Sequence, residues 1–132
     1  MIVADASILV EVLLGTPLGA VGRDRLLAID ETVHVPCLVD VEVAQALRRH
    51  ARHGRISDDL GAQALARLRR FPLARYGHEI LLARVWALRH NLTGYDAVYV
   101  VLAEALDAPL VTCDAPLARA TGHRARIELI EA

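Results

Sequence analysis

The sequence predicts an α/β domain with a mainly parallel central sheet. Two patterns point there. Short apolar runs such as Ile2-Val3-Ala4 and Leu110-Val111-Thr112 end close to an acid, and between them lie longer segments whose apolar residues recur at helical spacing. Strands alternating with helices are the pattern of a parallel sheet covered on both faces. The third observation is bulk: 132 residues, 55% of them hydrophobic, suffice for one core without staples, and no linker, repeat or low-complexity segment interrupts residues 1–132.

Element by element, residues 2–4 form a buried strand that stops at Asp5. A helix follows from about Ser7 to Leu14, with Gly15 and Pro17 as its stop, and a second covers Leu18 to Ile29. Val33-His34-Val35 is a strand closed by Pro36. From Leu38 to His53, Val39, Val43, Ala46 and Leu47 mark one helix face, and Gly54 ends it. Ser57-Asp58-Asp59 caps a helix running to about Arg70. Pro72-Leu73-Ala74 is a strand candidate. His78 to His90 reads as one helix, with Ile80, Leu81, Val85 and Leu88 on one face. Thr93-Gly94 separates it from a helix over Tyr95–Leu106. Pro109–Thr112 is a strand, and a short helix and a strand at Ile127–Ile130 finish the chain.

Composition narrows the chemistry. No apolar run approaches the about 18–20 residues that span a bilayer, and Asp5 stands where a signal peptide needs a basic segment. A cytoplasmic protein without membrane contact is expected. Cys37 and Cys113 lack C-x-x-C spacing and read as buried thiols. Net charge is −1, but all 15 basic residues are arginine, most of them between Arg48 and Arg89. Arginine's planar fork suits phosphate, so Arg48, Arg49 and Arg52 are candidate RNA contacts. His50 and His53 share that helix without a third ligand and read as solvated or RNA-facing.

In an open parallel sheet, ligands bind at the carboxyl ends of the strands. Asp5 and Asp114 both stand there, flanked by the hydroxyls Ser7 and Thr112. Two helical acids fit the same crevice. Glu42 lies beside the apolar Val39 and Val43, and Asp96 opens the run Ala97-Val98-Tyr99-Val100-Val101-Leu102-Ala103, which is apolar enough to be buried. Each alone can be a cap or a paired surface acid. Four converging carboxylates would repel and call for a cation or shared protons. An oxygen-only cluster suits Mg2+ or Mn2+, which can activate water for attack on a phosphodiester. Asp40 projects from another part of its helix and is left out, and Glu11 is a candidate neighbour of the site one turn beyond Ser7.

These segments resemble a known family. Val3-Ala4-Asp5-Ala6-Ser7-Ile8-Leu9-Val10 is similar to the opening motif of PIN-domain proteins, specifically the VapC-type toxins of type II toxin–antitoxin systems. Val35-Pro36 with Glu42-Val43-Ala44-Gln45-Ala46-Leu47-Arg48-Arg49 resembles the second acidic motif. Leu92-Thr93-Gly94-Tyr95-Asp96-Ala97-Val98-Tyr99-Val100-Val101-Leu102-Ala103-Glu104 resembles the third, and Leu110-Val111-Thr112-Cys113-Asp114 with Leu117 the fourth. They span the chain in the family's order and spacing. The resemblance implies a three-layer α/β/α sandwich and a Mg2+- or Mn2+-dependent endoribonuclease acting on tRNA or rRNA. It also implies a homodimer and a cognate antitoxin whose C-terminal segment fills the groove. It matches Asp5, Glu42, Asp96 and Asp114 to the metal-binding catalytic acids, with Ser7 and Thr112 beside them. Two positions depart: Gln45 stands where asparagine is common, and Ala115-Pro116 replaces a frequently basic pair.

Other classes fit less well. Aspartate-nucleophile phosphatases and receiver domains need a lysine, of which the chain has none, and the phosphatase needs a second aspartate where Ser7 stands. A PIN-like domain kept only for binding would have lost one or more of the four acids, and all four are present. A solitary RNA-processing PIN nuclease remains the alternative to a toxin.

Overall fold

The computed structural model describes residues 1–131. Five strands form one sheet: β1 (Ile2–Ala4), β2 (Val33–Pro36), β3 (Leu73–Tyr76), β4 (Leu110–Thr112) and β5 (Ile127–Leu129). Their order is β3-β2-β1-β4-β5, and every neighbouring pair is parallel. The α/β expectation is met, with a sheet wholly rather than mainly parallel.

Seven helices connect the strands: α1 (Ala6–Leu14), α2 (Pro17–Leu26), α3 (Val39–Arg52), α4 (Asp58–Arg70), α5 (Leu82–Ala87), α6 (Gly94–Leu106) and α7 (Ala115–Ala118). The path β1→β2→β3 moves one way across the sheet, and β4 and β5 then fill in on the other side of β1. Right-handed crossovers therefore put α1–α4 on one face and α5–α7 on the other. The packing agrees: α1 contacts α2, α3 and α4, whereas α6 packs on α5 and against β1, β2 and β4. Central β1 is covered on both sides, and Ile2, Val3 and Ala4 are each 0% exposed.

Local signals mostly act as expected, with four differences. Gly15 ends α1 in the left-handed region at φ 67°, but Pro17 is not a stop; it occupies the first turn of α2, where a missing N–H costs nothing. That helix ends at Leu26 rather than Ile29. The helix expected over His78–His90 divides into a 3-10 turn, Glu79–Leu81, and the short α5. Three residues per turn instead of 3.6 shift the side-chain phase, so Leu81 and Leu88 are buried while Ile80 is 90% exposed. The cysteines are also misplaced by composition. Cys37, just past β2, is exposed, and Cys113 is only half-buried. No single helix among the described residues is long and apolar enough to cross a membrane.

Candidate active site

The order in which the chain fills the sheet reverses between β1 and β4, so a crevice opens beyond their carboxyl ends. Asp5 and Asp114 stand at its base. The backbone N–H of Asp5 donates to the Val111 carbonyl at 3.3 Å, which fixes the two strand ends side by side. A cleft of about 570 Å3 lies above them, lined by Asp5, Glu42, Asp96 and Asp114 together. The four acids singled out in the sequence thus converge.

Each carboxylate is held differently. Asp5 is 5% exposed and fully engaged. Its Oδ1 accepts from the Ser7 hydroxyl at 2.6 Å and from the Ile8 N–H at 3.2 Å, capping α1; its Oδ2 accepts from Thr112 at 2.6 Å. Asp114 caps α7 by accepting from the Leu117 N–H at 3.1 Å. Asp96 is not the cap of α6: Thr93 is, accepting from the Asp96 N–H at 3.2 Å. The Asp96 carboxylate is left to the cleft. Glu42 rises from the first turns of α3, and its Oε1 accepts from the Tyr99 hydroxyl.

The electrostatics are those of unbalanced negative charge. Burial pushes the Asp5 carboxyl up to about 6, against the pull of its hydrogen bonds, and the charge of Asp114 adds to the rise. Burial also raises Asp96, followed by Asp114's charge. Glu42 is raised by burial and by Asp96, with Tyr99 and Arg49 opposing. Burial and then Glu42 hold the Tyr99 phenol far above its ordinary value, so it remains protonated. No ion pair to any of the four acids forms among the described residues. Nor do three His, Cys, Asp or Glu side chains among them gather closely enough to grip an ion unaided.

Ser7 and Thr112 sit where the sequence puts them. The Ser7 hydroxyl lies 3.1 Å from that of Thr112 and accepts from the Cys113 N–H at 3.1 Å. Glu11 reaches the cleft wall with its carboxylate bonded to Thr16. Of the three arginines, Arg49 lines the cleft, next to His50; Arg48 and Arg52 are exposed on α3 outside it. Asp40 forms a two-pronged pair with Arg75 and takes no part. Sequence reasoning missed Tyr99 and Tyr95. Both line the cleft, and the signal available was helical spacing, since Tyr99 falls one turn after Asp96.

The PIN-domain family model matches residues 2–122. A curated relative, Ribonuclease VapC12 of Mycobacterium tuberculosis, is 43% identical over 130 residues, covering 98% of this chain and 99% of the relative. Ribonuclease VapC9 of the same organism is 46% identical over 114 residues, covering 86% of each. Among solved structures, PAE2754 from Pyrobaculum aerophilum superposes with a TM-score of 0.68 at 28% identity, covering 95% of this chain and 81% of that one. VapBC2 from Rickettsia felis, bound to a DNA fragment from its promoter, gives 0.69 at 16% identity over 99% of this chain and 100% of that one. The fold and its switch-point acids define a PIN domain. The chain belongs to the PIN-domain family, and the curated relatives it matches are VapC ribonucleases.

Proposed function

We propose that this protein is an endoribonuclease, the toxin of a VapC-type toxin–antitoxin pair, and that Asp5, Glu42, Asp96 and Asp114 hold one or two Mg2+ or Mn2+ ions for cleavage of an RNA phosphodiester. The observation that carries the reading is the meeting of these four acids in one cleft at the switch point, with no protein cation paired to any of them among the described residues. The ribonuclease names of relatives at 43% and 46% identity support the activity.

The donor set fits such an ion. The acids offer only oxygen, and the hydroxyls beside them, Ser7 and Thr112, do the same. Mg2+ keeps several of its waters and takes one or two carboxylates directly. Acids spread around a cleft without a closed three-ligand cage suit an ion held partly through water. When bound, it would lower the pKa of a water and offset charge on the leaving oxygen.

The chain's own groups do the rest. Ser7, Thr112 and the Ile8 N–H keep the Asp5 carboxylate oriented although burial opposes its charge. Arg49 lies two helical turns beyond Glu42 on α3 and offers its fork to a phosphate away from the cut; Arg48 and Arg52 extend that basic strip outside the cleft. The proposed substrate is tRNA or rRNA, and the proposed partner is an antitoxin whose C-terminal segment occupies the groove. We place the protein in the cytoplasm as a homodimer, for which exposed Ile80, Leu82 and Trp86 provide apolar surface.

The test is cleavage of tRNA and rRNA by purified wild type and Asp96→Asn, each with Mg2+, with Mn2+ and with a chelator. Asparagine keeps the shape and removes the charge. Cleavage that needs the metal and vanishes in the variant is expected. Equal cleavage by both proteins, or none by folded wild type freed of antitoxin, would overturn the reading.

A further inference from the structure

Glu42 and Asp5 are held in opposite ways. Both oxygens of Asp5 accept hydrogen bonds, three in all. Glu42, which lines the cleft, receives one side-chain bond, from Tyr99 to Oε1 at 2.5 Å, and its Oε2 has no protein donor among the described residues. The bond crosses between faces of the fold, from α6 to α3, over 57 residues of sequence. Tyr99 is 2% exposed, so its ring is fixed by packing and its hydroxyl cannot follow a moving partner. Facing a carboxylate, that hydroxyl can only donate.

A long, half-buried glutamate at a cleft wall has rotational freedom that a buried aspartate at a strand end lacks. It also has a rival partner: Arg49, farther along α3 on the cleft side, pulls on its charge. The buried phenol opposes that pull by holding Oε1 at a fixed point.

We propose that Tyr99 is a positioning residue for Glu42: its hydroxyl ties down Oε1 and so orients the carboxylate that would hold the cation. This rests on the metal reading given above, and the experiment separates the two. Tyr99→Phe removes the hydroxyl and keeps the ring. Mn2+ affinity is measured by electron paramagnetic resonance of the free ion on the intact protein without RNA, in wild type, Tyr99→Phe, Glu42→Gln and the double variant, with metal-free melting curves for each.

Outer groups that orient metal ligands change affinity about 10–100-fold when lost. Tyr99→Phe is expected to weaken Mn2+ binding by about tenfold, at the lower end of that range, with the metal-free melting point nearly unchanged. In the Glu42→Gln background the same substitution should change affinity less than about twofold, because its effect travels through Glu42. Wild-type affinity in Tyr99→Phe, or an equal loss in both backgrounds, overturns the proposal. So does a large drop in metal-free melting point with unchanged affinity, which would assign the hydroxyl to the fold alone. If wild type itself fails to bind Mn2+, the metal reading falls, and this proposal with it.

Discussion

Thr112 donates to Asp5 across 107 residues of sequence, at 2.6 Å, and the same hydroxyl oxygen accepts the Asp114 N–H at 3.0 Å. One buried side chain thereby ties both strand-end acids of the cleft together. Thr112 is 0% exposed, so no water replaces what it supplies. Thr112→Val keeps the shape and removes the hydroxyl. It leaves a buried carboxylate short of a donor, and we expect a loss of about 1–3 kcal/mol in urea unfolding, together with much slower cleavage. Normal stability would mean that Ser7 and the Ile8 N–H suffice for Asp5.

The burial of Asp5 has a measurable pH signature in metal-free protein. Its folded pKa, about 6, lies above the ordinary aspartate value of 3.8. The folded state therefore holds the proton more tightly than the unfolded state does. The contribution to stability is best below about pH 4, declines as pH rises, and is a full penalty above pH 6. Asp5→Asn removes that penalty while keeping an N-cap of equal quality. In chelator at pH 8 the variant should be more stable by about 1–3 kcal/mol, a difference that closes by about pH 4. A variant less stable than wild type at pH 8 would show that Asp5's three hydrogen bonds outweigh its burial.

The four acids were legible because each breaks a local rule: an acid at the end of an apolar strand, or beside a helix face that must be buried. Tyr99 breaks none. An aromatic inside Ala97–Ala103 reads as core, and its ring is core; only the hydroxyl belongs to the site, and its partner lies on another helix. Arg48 and Arg52 are indistinguishable from Arg49 in the sequence, because charge shows there while helix phase relative to a distant cleft does not. The break near Ile80 was hidden for a similar reason. Apolar spacing over His78–His90 fits one helix, but Leu81 and Leu88 are buried by a 3-10 turn joined to a short α-helix, which turns Ile80 out.

On the far face, Glu104 of α6 accepts two parallel bonds from Arg84 of α5, at 3.0 Å each, and the Arg124 N–H at 2.7 Å. Its side chain is 5% exposed. Arg84's bonds hold the Glu104 carboxyl below its ordinary value, so the pair stabilises the fold above about pH 4.5 and the gain is lost as pH falls further. Arg84→Met should cost about 1–2 kcal/mol at pH 7, a figure reduced because Arg84 is itself 35% exposed, and the cost should shrink below pH 4. Thermal unfolding across that range tests the sign. A cost that does not change with pH would locate the effect in packing.

Two glycines make opposite predictions from one criterion. A Cβ on Gly19 of α2 would stand 2.0 Å from the Glu11 carbonyl oxygen of α1, a backbone atom that cannot turn aside. A Cβ on Gly61 of α4 would meet only Ile56 Cδ1, at an ordinary 3.6 Å. Gly19→Ala must push α2 off α1, the helix that starts at Asp5, and should cost at least about 1–3 kcal/mol. Gly61→Ala fills ordinary space within a helix and should gain about 0.5–1 kcal/mol from helix propensity. Denaturant midpoints of the two variants, read against wild type, should move in opposite directions. If Gly19→Ala were neutral, the close approach of α1 and α2 would not be what requires glycine there.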